Sequence, residues 1–396
     1  MRVAVLYLLT GVGHFREATA IRDELVVNGH EVDMIDPFEK FSNSDRLATR
    51  IMISLYKGIV KVGTTFIVVF PKLGEKGLTF TDSSELRLFK SLIRIGERLE
   101  WLVGRYFGSN LGLSQYKYFV STHPMATRMV VGFARSRALK MSRIINVCPD
   151  EVGGFAGSFY KVDGVINTVN SKKTGKIFEK LGLKKKYIRV VGHPLDPVIL
   201  KNRRNIYDRV QYDLNDGRLI LGLYLGYFAP ESEKAGILSV IKEVSPLLRA
   251  KKIKAKVLTG GHKDFENRLR LTIKSLKIEN LIEVIYTQTP LDIVRKGHSW
   301  MLKDINIMFS RPSELVFYSL ATGIPHVTFP LLGPQEEDML SLLRNNSPVE
   351  DWKSLRGRLE SFLFDKVKLI NISKRLFDSG YNLNGAVELP SLLRKV

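Results

Sequence analysis

Short apolar runs, each closed by glycine, proline or polar residues and followed by a helical period, recur along this chain and leave it few folds to choose from. RVAVLYLL leads through the glycine-rich turn TGVGH into FREATAIRDELVVNG, where Ala18, Ile21, Leu25 and Val26 keep helical spacing up to Gly29. HEVDMID then reads as a second strand, which makes a β-turn-α-β unit. YKYFVSTHP, SRIINVCPD, VDGVINTVN and YIRVVGHPLDP read as further buried strands, with a helix at KKTGKIFEKLG. A second series follows: strands at RLILGLYLGYF, KAKVLTGGH, IEVIYT, INIMFS and PHVTFP, and helices at KAGILSVIKEVSPLLRA and NRLRLTIKSLKI. Strands alternating with helices predict the α/β class and doubly wound sheets.

The two series meet near Pro194–Arg203, so the chain is expected to form two Rossmann-like domains facing across a cleft. The first takes residues 1–200 and the second 201–375, and 376–396 is a helical segment packing back on the junction. A length of 396 residues suits two such domains. Residues 38–111 are mostly helical in pattern, with a break at PKLGEKG. Within them, Ile51 to Phe70 is about long enough to cross a bilayer, but Lys57, Lys61, Gly58 and Gly63 interrupt it, which predicts a buried or interfacial helix. The opening residues lack the long apolar region and small-residue cleavage site of a signal peptide.

Charge narrows the partners. There are 61 Lys+Arg against 40 Asp+Glu, a formal net charge of +21. Such an excess favours an anionic partner: nucleic acid, an anionic membrane surface or a phosphorylated substrate. The densest basic runs, KKIKAK and LKKKY, are not interleaved with aromatics, and no nucleic-acid-binding motif is present, so no nucleic-acid partner is expected. The single cysteine, Cys148, excludes a disulfide framework and a cysteine-based zinc site. His14, His123, His193 and His262 do not stand at metal-ligand spacings, so no structural metal is expected.

The polar residues at strand ends carry the chemistry. TGVGH holds Gly11 and Gly13, but Arg16 stands where a dinucleotide fingerprint needs its third glycine. His14, at a strand-to-helix corner, is a candidate general base near neutral pH, and a helix cap otherwise. FSRPSE predicts a helix beginning near Pro312, capped by Ser310 or Arg311. The amides of Ser313 and Glu314 would then be free for a phosphate, with Arg311 adding a full charge. Gln335, Glu336 and Glu337 follow the next strand, placed either to bond sugar hydroxyls or to cap a helix. Asp150 and Glu151, and Thr122 and His123, close two other strands.

TGVGH, VGHPLDP and SRPSELVFYSLATGIPHVTFPLLGPQEE together resemble the GT-B glycosyltransferases, in particular the peptidoglycan lipid-linked N-acetylglucosaminyltransferase and monogalactosyldiacylglycerol synthase group. The resemblance covers the chain in outline and implies a GT-B-like fold. It also implies a nucleotide-sugar donor, UDP-linked in type, held by the second domain, and a lipid or lipid-linked acceptor held by the first. Inverting transfer without an obligatory metal or a separate cofactor would follow. By this resemblance His14 is the acceptor base, with Asp150 as the other candidate. Ser310, Arg311, Ser313 and Glu314 lie at the donor helix, and Gln335 and Glu336 face the donor sugar. Gly226, Gly260 and Gly261 line the donor loops, and Gly11, Gly13, Thr122 and His123 the acceptor side. One departure stands out: Tyr318 occupies the position of the family's ribose-binding glutamate, with Glu314 one turn earlier.

The leading expectation is therefore a cytoplasmic transferase, peripheral on the inner face of the cell membrane. A nucleotide-sugar epimerase of the same architecture and a non-catalytic nucleotide-sugar-binding subunit are the alternatives.

Overall fold

The computed structural model describes residues 1–9, 12–37, 39, 98, 101, 104–105, 112–227, 229–331, 334–348 and 350–395. Gly11, the Ile51–Phe70 segment and nearly all of the helical reading of 38–111 lie outside these residues.

The first half runs β1 (Arg2–Leu6), α1 (Val12–Val27), β2 (Glu31–Ile35), β3 (Tyr118–Ser121), α2 (Pro124–Ser136), β4 (Ile144–Cys148), α3 (Gly154–Tyr160), β5 (Ile166–Val169), α4 (Lys172–Lys180) and β6 (Ile188–Val190). The strands form one sheet in the order β2-β1-β3-β4-β5-β6, every pair parallel. Helix α5 (Pro197–Asp216) follows, and residue 200 falls within it. Then come β7 (Leu219–Tyr224), α6 (Glu231–Arg249), β8 (Ile253–Leu258), α7 (Lys263–Ser275), β9 (Ile282–Ile285), α8 (Pro290–Lys303), β10 (Ile307–Ser310), α9 (Leu315–Thr322), β11 (His326–Thr328), α10 (Pro334–Asn346) and β12 (Glu350–Asp351). These strands make a second parallel sheet, β12-β11-β10-β7-β8-β9. The fold is GT-B-like: two Rossmann-like α/β domains. β12 is two polar residues long and has no apolar run to announce it.

Local chemistry starts the helices where the sheets need them. Asp196 accepts from the Val198 amide ahead of Pro197, and His123 accepts from Met125 ahead of Pro124. Proline in the first turn forfeits only an amide that has no partner there. Thr289 and Asp292 form a reciprocal capping box at α8.

In each sheet the strand order reverses once, between β1 and β3 and between β7 and β10. A crevice opens at the carboxyl ends of the strands at such a reversal, and doubly wound folds bind ligands there. Two crevices are thus fixed by topology alone.

The chain then crosses back. α11 (Trp352–Leu355) and α12 (Leu359–Phe364) lead into α13 (Lys366–Phe377), whose Leu369, Ile372 and Leu376 join the second core. The last helix, α14 (Gly385–Lys395), instead puts Ala386, Leu389 and Leu393 into the first core with Val3, Val5, Ala18, Ile21 and Leu25. Its start is pinned at the junction. The Gly385 amide donates to the His193 carbonyl at 3.0 Å, and a Cβ on Gly385 would lie 2.2 Å from the Gly192 carbonyl oxygen. Among the described residues no helix is long and apolar enough to cross a membrane.

Leu389 and Leu393 are fully buried. Leu389→Ala is expected to cost about 2–5 kcal/mol of stability through lost burial and a residual cavity. Urea denaturation measures this, and a loss under about 1 kcal/mol would mean that α14 is not docked on α1.

Candidate functional site

The end of β1 and the start of α1 place His14 in the first crevice. The Thr122 hydroxyl, just past the end of β3, donates to the His14 carbonyl at 2.9 Å and ties the first turn of α1 to that strand end. The His123 ring meets the His14 ring edge-on at 4.7 Å between centroids, and Tyr160 lies 6.2 Å away. Glu17, one turn along α1, brings Oε2 to 3.6 Å from His14 Nδ1. That is too long for a hydrogen bond yet close enough for strong attraction. Asp150, past the end of β4, accepts from the Tyr160 hydroxyl at 2.5 Å.

The electrostatics follow from burial. Desolvation pulls the His14 pKa down, but the Glu17, Asp150 and Glu314 carboxylates more than offset it and leave it raised above the ordinary 6.5. Burial raises Glu17 and Asp150 as well, against the stabilising pull of His14. His123 goes the other way: burial, then repulsion from His14 and Arg128, holds it well below the usual histidine range, so it stays neutral. Of the two carboxylates at this strand end, Glu151 instead accepts from Ser171 and from Tyr381, at 2.9 and 2.8 Å.

The second crevice differs from expectation. The helix begins at Leu315, not near Pro312, and Glu314 stands at its cap position in a helical conformation without a side-chain cap bond. The Ser313 amide donates to the Arg311 carbonyl at 2.9 Å, so it is not free for a phosphate. The Ser310 hydroxyl donates to the same carbonyl at 2.9 Å and lies 2.8 Å from His326 Nε2. Ser-Arg-Pro-Ser satisfies its own groups in a turn before the helix starts. Arg311 likewise carries no unspent charge: its Nε donates to Glu233 at 2.7 Å and its Nη1 to Glu336. Glu336 thus holds an arginine rather than facing open solvent, and it is 5% exposed. The side chain of Gln335 lies outside the described residues.

Three glycines frame this corner. The Gly226 amide donates to Glu233 Oε1 at 3.3 Å, and a Cβ there would come within 2.9 Å of Arg311 Nη2. Gly260 and Gly261 take left-handed φ of 62° and 83°, and a Cβ on Gly260 would strike the Leu225 and Gly226 carbonyls at 2.7 Å.

One ion pair joins the two crevices. Arg16 of α1 is 2% exposed; its Nη1 donates to Glu314 Oε1 at 3.1 Å, and its guanidinium sits 5.2 Å above the Tyr318 ring. The Tyr318 hydroxyl lies 3.2 Å from His298 Nε2, and His298 Nδ1 lies 3.2 Å from Asp196. Burial, then the Arg16 charge, brings the His298 pKa down to about 3. Gly13 allows the approach, since a Cβ there would lie 3.1 Å from Glu314 Oε2. Asp338 of α10 accepts from the Gly153 amide at 2.6 Å, and Val12 packs on Ile293 and Val294.

Of the sequence candidates, His14, Gly13, Thr122, His123 and Asp150 gather in the first crevice. Gly226, Gly260, Gly261, Ser310, Arg311, Ser313, Glu314 and Glu336 gather in or beside the second. Thr122 and His123 are fully buried; the Thr122 hydroxyl donates to a backbone carbonyl and His123 Nδ1 accepts from the Met125 amide. Sequence reasoning missed Arg16, Glu17, Tyr160, Glu233 and Asp338. Only Glu17 left a local signal, three residues after His14 on one helix face. No group of three or more His, Cys, Asp or Glu among the described residues is placed to hold a metal ion.

No protein-family model and no curated protein matches the sequence. Solved structures do match its fold. S. aureus MnaA in a co-structure with UDP superposes at a TM-score of 0.56 with 9% identity, over 100% of this chain and 97% of that one. Acinetobacter baumannii MurG gives 0.53 and 13%, over 100% and 99%. The UDP-GlcNAc 2-epimerase from Neisseria meningitidis, bound to UDP-GlcNAc, gives 0.54 and 9%, over 100% of both chains. At such identities the likeness establishes the shared two-domain fold.

Breaking one side of a buried ion pair leaves an uncompensated charge. Arg16→Met is therefore expected to destabilise the protein by about 3–5 kcal/mol, and the double variant with Glu314→Gln by less than the two single losses added. A double-mutant cycle in urea checks this. A coupling near zero would show that the two residues do not act together.

Proposed function

We propose that the chain processes a nucleotide-linked sugar and acts as an inverting glycosyltransferase. The nucleotide would lie at the second crevice and the acceptor hydroxyl at His14. The observation that carries this is the His14–Glu17–Asp150 group, a buried acid–base cluster at the end of β1 that faces Glu314 of the other domain. MnaA with UDP, the Neisseria enzyme with UDP-GlcNAc and MurG, all sharing the fold, support a UDP-sugar as donor.

In this reading the cleft excludes water and aligns donor and acceptor. With Nδ1 turned to Glu17, His14 Nε2 takes the acceptor proton as the hydroxyl attacks the anomeric carbon, and the nucleoside diphosphate leaves. Glu17 stabilises the imidazolium as it forms. The sugar itself needs no further cofactor. A lipid or lipid-linked acceptor, with the enzyme peripheral on an anionic membrane, fits the net charge of +21.

One observation favours a second reading, an epimerase. Burial raises the Glu17 pKa to about 7 and raises that of Asp150 above the ordinary carboxylate value, so a second carboxyl group stands beside one suited to proton exchange with a bound sugar. Incubation with UDP-GlcNAc alone, followed by NMR, separates the two. Conversion of the sugar without any acceptor supports the epimerase, and product formed only with an acceptor supports the transferase.

His14→Ala is expected to lower turnover about a hundredfold or more while leaving nucleotide binding intact; unchanged turnover removes His14 from the mechanism. The pH profile provides a second check. A base must be neutral to act, and the His14 pKa is raised, so kcat/KM should fall as pH drops through a value above 6.5. Glu17→Gln removes an attraction that raises this pKa, so the acid limb should move to lower pH. A limb that stays in place would detach Glu17 from His14.

A further inference from the structure

Among the described residues, carboxylates outnumber cations at the Arg311 corner. One guanidinium serves two carboxylates, Glu233 and Glu336, and Glu314 adds a third acting on both Arg311 and Glu233. Glu233 is 1% exposed. Burying a carboxylate is costly unless a partner offsets it, and a single carboxylate would have neutralised Arg311. Glu233 also does more than pair. Its Oε1 accepts from the Gly226 backbone amide at 3.3 Å while its Oε2 accepts from Arg311 Nε at 2.7 Å. A backbone amide after a strand and a guanidinium from the neighbouring strand end are the donors that hold a phosphate oxygen in folds of this kind. Both lie at the reversal between β7 and β10, where the crevice opens.

We propose that Glu233 is a specificity-determining internal anion: its carboxylate holds the position of a ligand phosphate oxygen on Gly226 and Arg311, and the ligand must displace it. This rests on the reading of the second crevice as the nucleotide site. The consequence is selectivity. A small anion such as inorganic pyrophosphate brings only its charge, and that charge meets a carboxylate already in place. A nucleoside diphosphate brings contacts from its base and ribose as well, which can drive the exchange. Gly226 fits the same role, because a Cβ there would lie 2.9 Å from Arg311 Nη2, so its absence leaves room for the guanidinium beside the amide.

The test is calorimetric titration of UDP and of pyrophosphate into the full chain as wild type, Glu233→Gln and Glu336→Gln. Glutamine keeps an acceptor for the Gly226 amide but gives up the charge. Glu233→Gln should bind both probes at least about tenfold more tightly than wild type, and Glu336→Gln should gain less, because Glu336 does not hold the amide. Tighter binding by Glu233→Gln supports the proposal even if wild type binds UDP too weakly to measure. Unchanged or weaker UDP binding, or equal gains from the two variants, overturns it while wild-type UDP binding leaves the nucleotide reading standing. No UDP binding by any of the three overturns both. If Glu233→Gln does not fold, a crystal of the wild type with UDP decides. The Glu233 carboxylate displaced from the Gly226 amide by a phosphate supports the proposal, and the carboxylate still on the amide beside bound UDP overturns it.

Discussion

A single guanidinium inside the molecule determines how the two domains meet. Arg16 sits on the first helix of the first domain, yet its partner is Glu314 at the start of a helix in the second, and its face covers Tyr318. An arginine cannot shed its charge, so burial forces it to find a carboxylate. That requirement brings the two strand-order reversals together. Gly13 lets the backbone come close, Val12 packs on Ile293 and Val294, and Asp338 reaches the Gly153 amide from the far side. His14 lies two residues before Arg16, so the pair that joins the domains also holds the acid–base cluster against the facing wall.

What the sequence made legible was local. The strands announced themselves as apolar runs and the helices as periods, and the glycine-rich turn with His14 fell at a strand end because doubly wound folds put such turns there. What stayed hidden was contact between distant residues. Arg16 and Glu314 are 298 positions apart, and Arg311 and Glu233 are 78. No periodicity reports such a pair, so Arg16 reads only as a departure from a dinucleotide fingerprint and Arg311 as an unspent charge. The Ser313 amide, expected to be free for a phosphate, is taken up for a related reason. Ser310 and Ser313 can satisfy the Arg311 carbonyl within four residues, and a local bond of that kind forms ahead of a helix start.

The charge distribution is opposite inside and out. The chain as a whole is strongly basic, while the described residues of the cleft include Glu17, Asp150, Glu233, Glu314 and Glu336 beside Arg16, Arg311 and His14. A basic exterior draws anionic molecules towards the protein from a distance. With Glu233 as the proposed internal anion, the acidic interior would then test them at contact, because a phosphate would have to replace a carboxylate, and attraction and selection would be separated in space.

Tyr318 shows how the cleft compensates for a missing carboxylate. By the resemblance drawn from the sequence a glutamate would be expected at this position, and here a tyrosine fills it, 1% exposed. A glutamate at this depth beneath Arg16 would compete with Glu314 for the same guanidinium. The phenol ring instead offers its face to the cation and its hydroxyl to His298, whose imidazole burial keeps neutral and which in turn meets Asp196 at the domain junction. The tyrosine therefore leaves Glu314 as the partner of Arg16. An aromatic ring stands where the domains touch, and it brings no second carboxylate to compete for the ion pair between them.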